Sequence, residues 1–167
     1  MDNSDALSTF LNGMDMQGIR AQDCPMPTVT KLFSDPTPAD DVAAQVYRHS
    51  AGFLNFLAKT TRFDVAHSVS MLCTQMKQPT VGACNALRHL LGYLKVSIDF
   101  RIGGECAHRN SFDFYSDSDH ASVRPNSTRS HTGAMLMLNA VPIAWISKRQ
   151  PMTAVSPAEA EVHALRD

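Results

Sequence analysis

Three carboxylate side chains have a spacing that suits a site for a hard divalent cation. Asp117 and Asp119 are two residues apart at the end of an alternating segment, so a strand would place both on one face, and Glu159 begins a helix 40 residues later. Mg²⁺ binds oxygen ligands, and two ions about 4 Å apart can hold the attacking and leaving oxygens of a phosphodiester. The spacing is therefore compatible with a metal site for phosphodiester chemistry. Because the chain has 16 Asp and Glu residues, a chance grouping on a charged surface is the favoured explanation on the residues alone.

Glu159 has a second role open to it at the start of its helix. In the run Ser156-Pro157-Ala158-Glu159, Ser suits the N-cap, Pro the first helical position and Glu the third. In such a capping box the Glu159 carboxylate turns back to the Ser156 amide, which competes with a metal ion. The residues alone leave both roles open.

Composition excludes several classes of protein. With 167 residues, 44% hydrophobic, 8 Gly and 9 Pro, the chain can bury a core and is neither collagen-like nor disordered. No stretch reaches the roughly 18 apolar residues of a membrane helix, and the acidic N-terminus is unlike a signal peptide. We therefore expect an intracellular protein of the cytoplasm or nucleus, with no membrane as partner.

The net charge of −1 hides a split near residue 41. Residues 1–41 contain seven Asp and two bases and carry −5, whereas the remainder contains nine acids and thirteen bases and carries +4. A mildly basic body suits a polyanion such as nucleic acid, because Lys and Arg contacts release condensed counterions. On charge alone, an ordinary solvated surface is the favoured explanation.

The hydrophobic pattern changes its period near Val96. Before it, helical spacing predicts a short helix over 4–14, a proline-rich linker to Asp41, and helices over about 39–59, 63–77 and from Pro79 onward. After it, alternating Ile98, Phe100 and Ile102 predict a strand that stops at Gly103-Gly104. Further strands are predicted at 111–117, 131–138 and 141–148, followed by the helix from Ser156. The predicted fold class is α+β, with regions 1–41 (tail and linker), 42–97 (helical subdomain) and 98–167 (sheet).

Several collinear runs resemble one family. They are Tyr47-Arg48 with Gly52, Thr61 to Ala66, Leu90 to Lys95, Tyr115 to Asp119, Thr128 to Gly133, Ala144 to Pro151 and Ser156 to Glu161. In order and spacing they resemble the connection segment and ribonuclease H region of Copia-type LTR retrotransposon Pol polyproteins, over residues 47–165. Over residues 10–24, Gly13-Met14 and Asp23-Cys24 more loosely resemble the tail of the polymerase region of the same family, so 1–41 is assigned to that tail and the proline-rich linker.

The resemblance implies a ribonuclease H-like mixed sheet whose first three strands are antiparallel. Family members use four carboxylates and two Mg²⁺ ions to hydrolyse the RNA strand of an RNA–DNA hybrid, with water as nucleophile. Asp117 matches the Asp of the first strand and Glu159 the Glu of the first helix, with Asp119 as a further candidate ligand. The other two carboxylates lie on a later strand and helix, before which this sequence stops. We therefore expect a truncated domain that is catalytically inactive and marginally stable by itself.

The resemblance also implies partners. Five basic residues fall in regions that face the hybrid in the family: Arg88, Lys95, Arg129, Lys148 and Arg149. Each taken singly is better explained as an ordinary surface charge. The expected partners are an RNA–DNA hybrid or other nucleic acid and the remainder of the polyprotein. Two alternatives stay open: a non-catalytic nucleic-acid-binding remnant, in which Asp117 and Glu159 are dispensable, and a chain with no function.

Overall fold

A computed structural model describes residues 3–26, 35–104, 110–119 and 129–166. The chain divides into two compact units, Met1–Arg101 and Ile102–Asp167. The first is helical, and the second contains a three-stranded antiparallel sheet and one helix, which confirms the predicted α+β class. Part of the predicted proline-rich linker, including Pro27, lies outside the described residues. Within the described ranges, no helix is long and apolar enough to cross a membrane.

The described part of the first unit contains four α-helices and one 3-10 turn. They are α1 (Ser4–Asn12), α2 (Asp41–Thr60), the 3-10 turn (Phe63–Val65), α3 (Ala66–Cys73) and α4 (Val81–Val96). The start of α2 is fixed by Asp40, whose carboxylate accepts a hydrogen bond from the Ala43 amide at 2.7 Å. This satisfies one of the free amides at a helix N-terminus.

The start of α4 differs from the prediction, which placed Pro79 inside the helix. Thr80 is the N-cap, and its hydroxyl accepts from the Ala83 amide at 3.2 Å, so the helix begins at Val81. The carbonyl of Pro79 accepts from the Ala39 amide at 3.0 Å instead. A side-chain hydroxyl can satisfy a free helix amide, which a proline ring cannot, so Thr80 is the better cap.

The predicted helical stripes form the core of the first unit. Its fully buried side chains include Tyr47, Leu54, Leu57, Val65, Leu72, Leu90 and Leu94. Leu7 and Leu11 of α1 join the same core. The one hydroxyl in that set belongs to Tyr47, which donates to the Leu72 carbonyl at 2.8 Å and so avoids the cost of an unpaired buried polar group. Burial raises the pKa of Tyr47 well above its ordinary value.

The segment after α4 is not the strand that the alternation of Ile98, Phe100 and Ile102 predicted. Residues 97–100 form a turn in which the Phe100 amide donates to the Ser97 carbonyl at 3.1 Å. The buried Arg62 guanidinium donates to the same carbonyl at 3.0 Å and lies 5.2 Å from the centre of the Phe100 ring. The prediction was wrong because Ile98 packs against the core of the helical unit and Phe100 against Arg62, rather than either pairing in a strand.

The second unit contains the strands β1 (Phe112–Asp119), β2 (His131–Leu138) and β3 (Val141–Arg149), in that spatial order. The strands predicted at 111–117, 131–138 and 141–148 are confirmed, with β2 in the centre and paired antiparallel on both sides. The tight connection from β2 to β3 places Asn139 and Ala140 at φ 51° and 64°. Two successive positive φ values are typical of the hairpin turns that match the twist of the strands.

Helix α5 (Pro157–Arg166) packs against β1 and β2 and completes the described part of the second unit. Its inner face is narrow, because the side chains that it buries are Ala160 and Ala164. Small side chains let the helix backbone approach the sheet closely. The helix therefore brings its first turn, which contains Glu159, to the two strands that contain Asp117 and its partner.

Candidate functional site

Asp117 lies in β1 where the neighbouring strands carry small residues. Its partner in β2 is Gly133, whose partner in β3 is Ser147. Directly paired residues point to the same face of a sheet, so these three form one row. Asp117 is exposed, and its Oδ1 atom accepts from the Ser118 amide at 2.8 Å. The small neighbours leave room for a ligand beside the carboxylate.

Asp119 lies on the same face as Asp117, as the sequence predicted. It pairs with His131, which in turn pairs with Arg149 in β3. Neighbouring strands are roughly 4.8 Å apart, so the exposed Arg149 guanidinium belongs to the same surface as both carboxylates. This face of the sheet, formed by the rows of Asp117 and Asp119, is called the acidic row face below.

Of the other two basic residues predicted in this unit, Lys148 starts on the opposite face and Arg129 lies outside the strand register. Lys148 precedes Arg149 in β3 and pairs with Thr132, so it starts on the opposite face. Arg129 is exposed and precedes the first residue of β2. Of the three predicted contacts to nucleic acid, the register places Arg149 alone in a row with one of the two carboxylates.

Glu159 is engaged at the start of α5. The Ser156 hydroxyl accepts from the Glu159 amide at 3.2 Å, and Glu159 Oε2 accepts from the Val155 amide at 2.6 Å. This is a reciprocal cap, displaced by one residue from the predicted bond to the Ser156 amide. The remaining oxygen, Oε1, lies 3.9 Å from His163 Nε2. The capping role therefore has direct geometry in the structure, whereas the role of metal ligand stays a prediction.

The carboxylates do not by themselves fit the expected pair of Mg²⁺ ions. Their oxygens are the right donors for Mg²⁺. In the described part of the chain, however, no three or more His, Cys, Asp or Glu side chains are grouped so as to hold a metal ion. Asp117, Asp119 and Glu159 thus do not form such a group.

Arg88 and Lys95 lie on α4, and Arg88 has a partner elsewhere in the helical unit. Arg88 Nη2 donates to the Gln17 carbonyl at 3.2 Å, and the neighbouring His89 ring is 3.0 Å from the Cys24 carbonyl. Together these side chains hold the segment that follows α1 against α4. Lys95 lies in the last turn of α4, where a positive charge is favourable beside the free carbonyl groups. Their contact with nucleic acid remains a prediction.

Gln150 is a residue of this site that the sequence alone did not reveal. Gln150 follows β3 directly and is completely buried. Its Nε2 atom donates to Thr132 Oγ1 at 3.1 Å and to the Ala160 carbonyl at 2.9 Å. Its position in the Lys148-Arg149-Gln150-Pro151 run was the available signal, but the run identifies no partner.

Comparison with known proteins gives three informative relatives. The chain is 32% identical over 159 residues to the uncharacterized mitochondrial protein AtMg00810 of Arabidopsis thaliana, a match that covers 93% of this chain and 63% of that protein. It is 36% identical over 115 residues to the retrovirus-related Pol polyprotein from transposon RE2 of A. thaliana, and 34% identical over 132 residues to that from transposon RE1. These matches cover 69% and 79% of this chain but 8% of each polyprotein. No family model and no solved structure gives a significant match.

Proposed function

The chain belongs to the Copia-type retrotransposon Pol polyprotein family, and from this membership we propose that it contributes to the polyprotein's ribonuclease H region. The substrate of that region would be an RNA–DNA hybrid, whose RNA strand is hydrolysed. The observation that carries the proposal is the packing of α5 on β1 and β2, which brings a helix containing Glu159 to the strand containing Asp117. The helical first unit would then be the connection to the polymerase region.

Within this function, the 167-residue chain supplies a surface and one well-placed carboxylate. Asp117 is exposed beside the small residues Gly133 and Ser147, so a backbone phosphate, or a metal ion bound to that phosphate, could approach its carboxylate. Arg149 on the same face offers the opposite charge, which suits the phosphates of a nucleic-acid backbone. We expect this chain alone to hydrolyse hybrid poorly or not at all, because its described carboxylates do not assemble a metal site.

A second function, non-catalytic binding of nucleic acid, is favoured by the geometry of Glu159. Its Oε2 atom is held by the Val155 amide at 2.6 Å, so capping alone accounts for an acid at this position. In this alternative the acidic row face contacts the hybrid mainly through Arg149, and neither Asp117 nor Glu159 takes part in chemistry. The two functions differ in what the substitution of Asp117 does.

One assay on the whole chain separates them: binding and cleavage of a labelled RNA–DNA hybrid in Mg²⁺ and in Mn²⁺ over a series of salt concentrations. We expect the binding constant to fall as salt rises. Arg149→Ala should weaken binding and reduce the slope of log binding constant against log salt concentration by about 1. Lys77→Ala, an exposed substitution in the helical unit, is the matched control and should change neither.

Cleavage that disappears in Asp117→Asn, with binding retained, would establish the ribonuclease. Binding without cleavage would support the second function if Asp117→Asn leaves binding unchanged in Mg²⁺. It would support the first if Asp117→Asn alters the dependence of binding on Mg²⁺, because a carboxylate that helps to hold the ion affects binding only when the ion is present. A folded chain that neither binds nor cleaves the hybrid would exclude both. Circular dichroism of every variant shows whether a loss of binding is a loss of folding.

A further inference from the structure

Gln150 connects the two elements that contain the candidate acids. Its side chain is bonded to Thr132 in β2 and to the Ala160 carbonyl in α5, and all three residues are at most 1% exposed. Thr132 is adjacent to Gly133, the partner of Asp117, and Ala160 is adjacent to Glu159. One buried amide thus joins the sheet to the helix through residues adjacent to Gly133 and Glu159, and because Thr132 alternates with Gly133 it does so on the face of the sheet opposite to Asp117.

The chemistry of the amide fixes how it is oriented. A carbonyl oxygen can only accept, so the group that faces the Ala160 carbonyl must be the NH₂ of Gln150. The backbone amide of Gln150 adds a third bond, to the Ser130 carbonyl at 2.8 Å, which holds the residue in line with the start of β2. Hydrogen bonds therefore hold both the backbone amide and the side-chain amide of Gln150 in place.

An apolar side chain could be buried at this position with a lower free-energy cost. Within the part of the chain that the structure describes, Gln150 Oε1 has no hydrogen-bond partner, and a buried unpaired acceptor is unfavourable. A methionine would fill a similar volume without that cost. The contribution of Gln150 is therefore directional: its two donated bonds define where the first turn of α5 lies along β2.

We propose that Gln150 is a positioning residue that sets the place of Glu159 relative to Asp117. The functional meaning of this placement rests on the proposed ribonuclease H site, but the placement itself does not. The alternative is a purely structural role, in which Gln150 only adds stability to the second unit. In that case a destabilising substitution elsewhere in the unit would change α5 in the same way as the loss of Gln150.

The test is NMR of the whole chain, with Gln150→Met compared against Ala144→Gly. Ala144 is an exposed residue of β3, so its replacement weakens the same sheet without touching the amide. The measurements are the amide chemical shifts of Glu159 and Ala160 and the amide exchange of α5. In Gln150→Met we expect these chemical shifts to change, and exchange in α5 to become about 30-fold faster than elsewhere in the unit, as for two lost hydrogen bonds. In Ala144→Gly, exchange should rise evenly and the chemical shifts of Glu159 and Ala160 should stay.

Thr132→Val keeps the inference testable if Gln150→Met does not fold. It removes one of the two acceptors, so it should change α5 in the same direction by a smaller factor. Unchanged α5 signals in a folded Gln150→Met or Thr132→Val, or the same changes in Ala144→Gly, would overturn the positioning role. Because none of these signals depends on hybrid, a failure of binding and cleavage would remove the proposed function and leave this result intact.

Discussion

Arg62 and Asp64 form a two-point ion pair inside the helical unit. Arg62 Nε lies 3.0 Å from Oδ1 of Asp64, and Nη2 lies 2.8 Å from Oδ2. The Tyr93 hydroxyl donates to the same Oδ2 atom at 2.9 Å, and Nη2 also donates to Ser97 Oγ at 2.7 Å. The Arg62 side chain is 3% exposed. The run from Thr61 to Ala66 that resembles the family therefore connects the 3-10 turn to the end of α4, and its charges have structural partners.

Replacing Arg62 with Met should destabilise the helical unit by about 3 kcal/mol, because it leaves the partly buried Asp64 carboxylate without its partner. Urea unfolding followed by far-ultraviolet circular dichroism measures this, since most of the helix lies in the first unit. The matched control is Arg48→Met. Arg48 is exposed, and its Nε donates to the Met76 carbonyl at 3.0 Å, so the loss of this bond should cost under about 1 kcal/mol. Equal effects of the two substitutions would contradict the structural role of the pair.

Tyr47 should make the helical unit sensitive to alkali. Burial raises the pKa of Tyr47 in the folded chain, whereas an unfolded tyrosine ionises near its ordinary value of 10.0. The folded state therefore holds the proton to higher pH, so the stabilisation is complete below about pH 10 and falls as the pH rises further. Burial and, next, the bond to Asp64 raise the pKa of Tyr93 in the same direction.

Tyr47→Phe should lower the free energy of unfolding by about 1 kcal/mol at neutral pH, because the Leu72 carbonyl loses its donor. It should also make the loss of stability above pH 10 less steep. The measurement is urea unfolding at a series of pH values. Tyr115→Phe is the control, since Tyr115 is exposed, and it should leave the pH dependence unchanged. A wild-type unfolding free energy that stays flat above pH 10 would refute the prediction.

The helices, the three strands of the sheet and the cap of α5 could be predicted because each depends on nearby residues. Apolar spacing determines which face of α2 is buried, and Ser156 is three residues from the amide that it caps. The segment 98–102 could not be predicted, because period-two spacing does not say which surface covers its apolar residues. Here that surface includes Arg62, which is far away in the sequence.

The candidate site was predicted in part for the same reason. Alternation alone places Asp117 and Asp119 on one face, as the register shows. Gln150 was missed, because its partners Thr132 and Ala160 are 18 and 10 residues away and belong to different elements. The sequence also could not decide how Glu159 is used, since a cap and a metal ligand require the same carboxylate at the same helical position.

Two glycines in helices should respond to alanine with opposite signs. Gly52 of α2 is exposed, and a Cβ there would meet nothing within 4 Å, so Gly52→Ala should stabilise the helical unit by about 0.8 kcal/mol. At Gly92 of α4 a Cβ would overlap the Arg20 carbonyl oxygen. Gly92→Ala should therefore cost about 1–3 kcal/mol, or release the segment that Arg88 and His89 hold against α4.

Unfolding by urea measures the stabilities of the two glycine variants, and limited trypsin digestion reports the released segment. Cleavage after Arg20, an exposed residue, should be faster in Gly92→Ala than in Gly52→Ala. If Gly92→Ala were as stable and as resistant to trypsin as the wild type, the close approach of Arg20 to α4 would be excluded.

The turn between β2 and β3 offers a gain in stability in the second unit. Ala140 has φ 64°, a left-handed conformation in which the Cβ of an L-residue is crowded by its own carbonyl and which costs roughly 1–2 kcal/mol. Glycine adopts this conformation without that crowding, but it also gains freedom in the unfolded chain, so Ala140→Gly should stabilise the unit by about 0.5–1 kcal/mol.

The one tryptophan of the chain, Trp145 in β3, provides a fluorescence signal for unfolding of this unit. The control is Ala144→Gly within β3, which should destabilise the unit by a similar amount, because glycine in a regular strand loses freedom without relieving strain. Destabilisation by both substitutions would show that residue 140 does not adopt the left-handed conformation in solution.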